Sequence, residues 1–264
     1  MKNKKAKILI YLSSASAVPC REGGTHSTGV FLGELTEPLQ PLLEYGHLLH
    51  FASPDGKPPV IDKNSYKLMY WGFSKKHLET AKNVFQELND LGMNKPQKIN
   101  ELSDKDLDSF DVLFIPGGHA PMTDILYKNW LESQDLNLET GKILLHFHQK
   151  QKPTSLICHA PAVLATAPEI NNQWIYKDYK MTCVTMVSEW LTEDAPGFKV
   201  MDGHLPDYPQ KILKRKGANL QLVNIPMLSK VVEDRELITG QDPYSAAELG
   251  RKLLIKIEKY LETK

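Results

Sequence analysis

Apolar positions along this chain follow two patterns that take turns. Short unbroken runs at Lys7–Leu12, His47–Ala52, Asp111–Ile115 and Thr154–Ile157 do not alternate with polar residues. That is how strands covered on both faces read. Between and beyond them, apolar side chains recur at helical spacing. Thr28–Tyr45 carries Phe31, Leu32, Leu35, Leu39, Leu42 and Leu43, with Pro38 and Pro41 predicting a kinked or two-piece helix. Lys76–Leu91 carries Leu78, Ala81, Val84, Phe85, Leu88 and Leu91, with Gly92 as its stop. Lys142–Lys150, Ala160–Ala167, Tyr208–Lys216 (ending at Gly217) and Ala246–Leu261 are further helices, the last closing the chain. Lys180–Val187 has β character, and Leu220–Val223, Val231–Glu233 and Leu237–Thr239 read as short strands. Strands alternating with helices imply an α/β fold, a mostly parallel sheet with helices on both faces. One domain over residues 1–264 is expected, with loop insertions at approximately 57–75 and 190–206. The basic Met1–Lys7 and the apolar Ile8–Leu12 suggest a secretory leader, but that apolar run is shorter than the ~7–15 residues a leader core needs. It is read as the first strand.

Composition narrows the function. The chain has 264 residues, with 32 basic and 32 acidic side chains. A balanced charge argues against a general nucleic-acid binder or a binder of anionic membranes. No apolar stretch approaches the ~20 residues of a membrane span. The three cysteines, Cys20, Cys158 and Cys183, form no Cys-x-x-Cys pair, which fits a reducing compartment. Cys20 sits in a loop flanked by Pro19 and Arg21, and Cys183 in a β segment bound for the core. The histidines include no His-x-x-x-His pair, and His146 and His148 face different directions on a helix, so no metal site is expected.

The sharpest local feature is Ser155-Leu156-Ile157-Cys158-His159-Ala160-Pro161. A buried strand runs directly into a cysteine and then into a helix-compatible stretch. Such a turn pushes a nucleophile out at the carboxyl edge of the sheet, where α/β proteins bind ligands. A helix N-terminus behind it would favour thiolate over thiol. A second turn, Phe114-Ile115-Pro116-Gly117-Gly118-His119, follows another strand, and its glycines let backbone amides approach an oxyanion.

Together these segments resemble the DJ-1/PfpI superfamily, and within it the Hsp31-like, glyoxalase III type. Three more segments are similar to that group: Gly29-Val30-Phe31-Leu32-Gly33-Glu34-Leu35-Thr36-Glu37-Pro38, Ala52-Ser53-Pro54-Asp55-Gly56, and Thr239-Gly240-Gln241-Asp242-Pro243-Tyr244-Ser245. The resemblance implies a flavodoxin-like, class I glutamine amidotransferase-like sandwich. It makes Cys158 the nucleophile, Glu34 an acid/base beside the sulfur, and His159 the neighbouring imidazole. An acid after the next β segment would orient His159; Glu189 matches best, ahead of Glu193 and Asp194. Gly117, Gly118 and His119 would bind substrate, with the amides of Gly118 and His159 forming the oxyanion pocket. Outside that resemblance, a Glu34 set in an apolar helix pattern reads as a solvated face residue.

The implied activity is a glutathione-independent glyoxalase that turns methylglyoxal into lactate without cofactor, in detoxification and stress response. The implied setting is the cytoplasm, as a homodimer, with a small 2-oxoaldehyde as substrate and neither nucleic acid nor membrane as partner. Rival activities are a protein deglycase, a holdase-type chaperone or redox sensor, and a PfpI-like peptidase. A glutaminase would need a late His-x-Glu pair, whereas His204 is followed by Leu205-Pro206-Asp207. The chain departs from the family pattern at Phe31, Gly33, Ala120 and Ala160, and Trp190–His204 has no counterpart there.

Overall fold

Residues 4–264 are described by a computed structural model of the chain. Seven segments join one sheet: β1 (Lys7–Tyr11), β2 (Leu48–Ser53), β3 (Gln97–Lys98), β4 (Val112–Ile115), β5 (Thr154–Ile157), β6 (Val231–Asp234) and β7 (Leu237–Gly240). Their spatial order is β6-β7-β5-β4-β1-β2-β3. Every pairing is parallel except the edge hairpin β6–β7. Alternate residues of one strand serve opposite cores. Ile8 and Ile10 pack on one face with Leu39, Leu42, Leu253 and Ile257. Leu9 and Tyr11 pack on the other with Leu144, Phe147 and Leu164. Every one of these side chains is buried, as the unbroken apolar runs require.

The helices are α1 (Leu32–Tyr45), α2 (Lys75–Leu88), α3 (Asp104–Ser109), α4 (Leu138–Gln149), α5 (Met186–Glu193), α6 (Pro209–Lys216) and α7 (Ala246–Thr263). α1 is one helix rather than two pieces, since it runs on through Pro38 and Pro41. Each proline removes one amide donor, but tertiary packing holds the segment. Leu35, Leu39 and Leu42 are fully buried. α7 presses Gly250 against Pro38 so closely that a Cβ there would lie 2.8 Å from the proline Cα. α2 ends at Leu88 and a wide turn, Asn89–Met93, carries the chain on through Gly92 at φ 106°.

Lys180–Val187 also corrects the expectation. Only Lys180–Met181 forms a strand, paired with Asn219–Leu220. Thr185 then starts α5, its side chain accepting from the Ser188 amide, so a cap overrides the local β preference. Ala160–Thr166 is a 3-10 helix rather than an α-helix. The 57–75 segment holds two 3-10 turns, Lys63–Tyr66 and Leu68–Trp71. It docks onto the start of α1 through Val30 N–H to Val60 O (2.8 Å) and Asp62 N–H to Val30 O (3.0 Å). Among the described residues no helix is long and apolar enough to cross a membrane.

Candidate active site

β1 has β2 on one side and β4 on the other. The chain reverses its direction of growth across the sheet there, which opens a crevice at the strands' carboxyl ends. α1 brings Glu34 to that crevice, the turn after β4 brings Gly117, Gly118 and His119, and the turn after β5 brings Cys158 and His159.

Cys158 sits at φ 63°, in the left-handed region. For a residue with a Cβ this costs of order 1–3 kcal/mol. The strain is held by bonds on both sides: the Cys158 amide donates to Gly240 O (3.0 Å), and its carbonyl accepts from the Val184 amide (2.9 Å). The Val184 bond also ties the segment leading into α5 to the nucleophile turn. Sγ lies 3.2 Å from Nδ1 of His159, and Nε2 of the same ring lies 3.0 Å from Oε1 of Glu189. Glu189 is therefore the acid that faces His159. Glu193 accepts instead from the Leu205 amide and the Tyr208 hydroxyl, both at 2.8 Å, and Asp194 lies 3.0 Å from Nε2 of His204.

Glu34 is fully buried. Burial pushes its carboxyl up to about 8, only partly offset by the Cys158 thiol and the Gly118 amide beside it. At neutral pH this group carries a proton. Burial and the adjacent Glu34 raise the Cys158 thiol well above its usual range. The expected helix-stabilised thiolate is therefore corrected: the helix behind Cys158 is a short 3-10 segment in an enclosed site, and desolvation outweighs its dipole. Burial also lowers His159 to about 3 and raises Glu189 to about 7. At neutral pH the Glu34 carboxyl, the Cys158 thiol and the His159 imidazole are therefore uncharged.

Gly118 and His119 line the pocket, whereas Gly117 is not in its lining and packs against Glu34 and Cys158. A Cβ on Gly118, at φ 90°, would meet Gly29 O at 2.3 Å. The pocket holds about 240 Å³, with walls from Phe31, Tyr70, Val184, Leu191, Phe198 and Tyr244. Both predicted insertions contribute walls. At Gly33, a departure from the family pattern, a Cβ would make an ordinary 3.4 Å contact with the indole of buried Trp71.

Three polar residues of the site had no signal in the hydrophobic pattern. Asp62 caps its 3-10 turn and accepts from Thr28 Oγ1 at 3.1 Å. Thr28 in turn lies 3.5 Å from Nδ1 of His119. Asp242, buried at the pocket wall, accepts from Ser245 Oγ at 2.9 Å; the quoted Thr239–Ser245 motif was the available clue. His119 stacks near His159, with ring centroids 4.1 Å apart. With Glu189 these two imidazoles form the one His/Cys/Asp/Glu group among the described residues whose ligand atoms converge as a metal site would require.

The other cysteines are apart from this chemistry. Cys20 is half-buried near Gly203, and Cys183 is fully buried.

A family model described as the DJ-1/PfpI family matches residues 28–256. The protein/nucleic acid deglycase HchA of Escherichia coli O7:K1 is 26% identical over 248 residues, covering 94% of this chain and 79% of the relative. Glyoxalase III from Candida albicans superposes with a TM-score of 0.72 at 22% identity, over 95% of this chain and 97% of that one. The Rapid Encystment Protein of Francisella tularensis superposes with a TM-score of 0.72 at 21% identity, over 96% of this chain and 99% of that one.

Proposed function

The chain belongs to the DJ-1/PfpI family, in its Hsp31-like branch, and we propose that it is a glutathione-independent glyoxalase converting methylglyoxal and related 2-oxoaldehydes to 2-hydroxy acids. One observation carries this reading. A buried carboxyl, Glu34, that holds its proton at neutral pH lies beside a strained thiol, with Nδ1 of an imidazole 3.2 Å from the sulfur.

The chemistry follows from those three groups. The Cys158 sulfur adds to the aldehyde carbon. Its proton is relayed to the aldehyde oxygen through Nδ1 of His159, which faces the sulfur while Nε2–H faces Glu189, so the weakly basic imidazole never holds it. The aldehyde oxygen becomes the hydroxyl of a hemithioacetal as it takes up a proton. Glu34 then hands its proton to the ketone oxygen and, as a carboxylate, removes the hydrogen from the former aldehyde carbon, giving an enediol. Glu34 returns that proton to the second carbon as the hydroxyl on the first carbon gives up its own proton, and a lactoyl thioester results. Water cleaves it, releasing lactate and restoring the thiol. No electrons leave the substrate: one carbon is oxidised and its neighbour reduced. A raised Glu34 suits this role, since a carboxyl near 8 holds its proton until the substrate needs it. The largely apolar walls of the pocket limit the water that can approach the enediol.

The name of the Escherichia coli relative favours a second reading, removal of such adducts from proteins or nucleic acids. It would use the same sulfur. The test is lactate formation from free methylglyoxal by wild type, Cys158→Ala and Glu34→Gln, run beside a preformed methylglyoxal adduct of a cysteine peptide. Faster turnover of the free aldehyde, lost in both variants, supports the glyoxalase. Turnover of the adduct alone replaces it with the deglycase.

A further inference from the structure

We propose that His119, His159 and Glu189 form a binding site for a single divalent transition-metal ion such as Zn2+, and that filling it switches the Cys158 chemistry off. The regulatory half rests on the glyoxalase reading; the site itself does not.

Two imidazoles and a carboxylate are a common zinc ligand set, leaving one position open. Here the three ligand atoms lie within 4.8 Å of one another. A tetrahedral ion with bonds of about 2 Å holds its ligands about 3.3 Å apart. His159 Nε2 and Glu189 Oε1 are already at 3.0 Å. His119 completes the set, its ligand nitrogen within 4.8 Å of the other two ligand atoms.

A second observation points the same way. Nε2 of His119, Nε2 of His159 and Oε1 of Glu189 are each shielded from solvent and lack a well-aligned hydrogen bond among the described residues. Nε2 of His159 and Oε1 of Glu189 face only each other, at 3.0 Å, and Nε2 of His119 has no hydrogen-bond partner among the described residues, so a single ion could serve all three converging atoms. His119 is also oriented for ligation. With its Nδ1–H directed to Thr28 Oγ1 (3.5 Å), and Thr28 donating onward to Asp62 (3.1 Å), the lone pair of Nε2 is left facing the pocket. Such outer partners fix the tautomer of ligating histidines.

The consequence for Cys158 is a matter of tautomers. In the free site Nε2–H faces Glu189, and Nδ1 is open to the thiol proton. A metal on Nε2 puts the ring proton on Nδ1, the nitrogen 3.2 Å from Sγ. The imidazole then has no lone pair left to take or return a proton, and Glu189 is engaged as a ligand. Nothing is oxidised or reduced, and a chelator restores the site.

The experiment uses the full chain freed of metal by chelator dialysis. Zn2+ is titrated calorimetrically, and Co2+ by its visible absorption. One ion per chain is expected. His119→Asn and Glu189→Gln should each weaken binding by about tenfold or more, and Thr28→Val by about tenfold. A rival cluster, His204 with Glu22 and Asp194, lies on the surface; His204→Ala should leave the Co2+ spectrum and affinity unchanged. Circular dichroism shows that each variant is folded. No one-to-one binding, or binding that survives both His119→Asn and Glu189→Gln, overturns the site, as does binding lost in His204→Ala. Lactate formation should fall in step with Zn2+ occupancy and return with EDTA. Binding with undiminished turnover overturns the switch. If metal-free protein makes no lactate, the glyoxalase reading fails, and the Co2+ titration still decides the site.

Discussion

A Cβ built on Gly117 would lie 2.2 Å from Oε2 of Glu34, inside any permitted contact. The same atom would meet the Ile157 carbonyl oxygen at 2.5 Å and Cys158 Cβ at 2.8 Å. The first glycine after β4 therefore makes room for the acid rather than for substrate. Gly117→Ala must push Glu34 away from the sulfur or move the β5 turn. We predict that it abolishes lactate formation and costs about 1–3 kcal/mol of stability, read by urea denaturation. By contrast, Gly33→Ala meets only the Trp71 ring at 3.4 Å and should keep activity and stability.

The backbone of Cys158 gives a prediction with an unusual sign. Alanine at φ 63° retains the strain, whereas glycine releases it. Cys158→Gly should therefore unfold at a higher urea midpoint than Cys158→Ala, by up to about 1 kcal/mol after the entropy glycine adds to the unfolded chain. The usual order, with alanine more stable, would mean that the turn is relaxed.

Glu34 makes stability depend on pH. Its folded value, about 8, lies above the ordinary 4.5. Between those values the folded protein holds a proton that the unfolded chain has lost. The stabilising contribution is full below the unfolded value and is lost as pH rises toward 8, at a limit of about 1.4 kcal/mol per pH unit. Glu34→Gln removes the ionisation. Urea midpoints at pH 5, 6.5 and 8 should show the variant gaining on wild type as pH rises. In wild type, turnover should also fall above pH 8, where Glu34 no longer brings a proton.

In the proposed mechanism Glu189, 3.0 Å from Nε2 of His159, acts through that imidazole as a positioning residue. Glu189→Gln should lower kcat about tenfold or more with KM little changed. It should also erase the rising limb near pH 7, where burial places the Glu189 ionisation. Asp194→Asn, whose partner is His204, should leave kcat and that limb intact.

How much of this was legible in the sequence varies with the kind of signal. The strands of the sheet centre were plain because β1, β4 and β5 are buried on both faces and read as unbroken apolar runs. The short edge strand Gln97–Lys98 is polar and half-exposed, so no run marked it. Pro38 and Pro41 suggest a kinked or two-piece α1, and the two-piece form is excluded by packing that local propensity does not register, Gly250 against Pro38. Glu34 followed from family resemblance alone, since its burial depends on distant chain: the β4 turn and Cys158 close over it. Asp62, Thr28 and His119 form a chain of polar contacts between loops far apart in sequence. No periodicity records such a chain, and a search for His-x-x-x-His spacing could not find a ligand set drawn from three separate elements.

The central claim is that Glu34 moves a proton on a substrate already bonded to Cys158. The most direct measurement gives methylglyoxal to wild type and to Glu34→Gln, follows lactate by proton NMR, and analyses the Cys158 peptide by mass spectrometry. Wild type should release lactate continuously. Glu34→Gln should release none while its Cys158 carries an unrearranged methylglyoxal adduct. Lactate from Glu34→Gln at the wild-type rate, or a wild type that makes no lactate, would contradict the account.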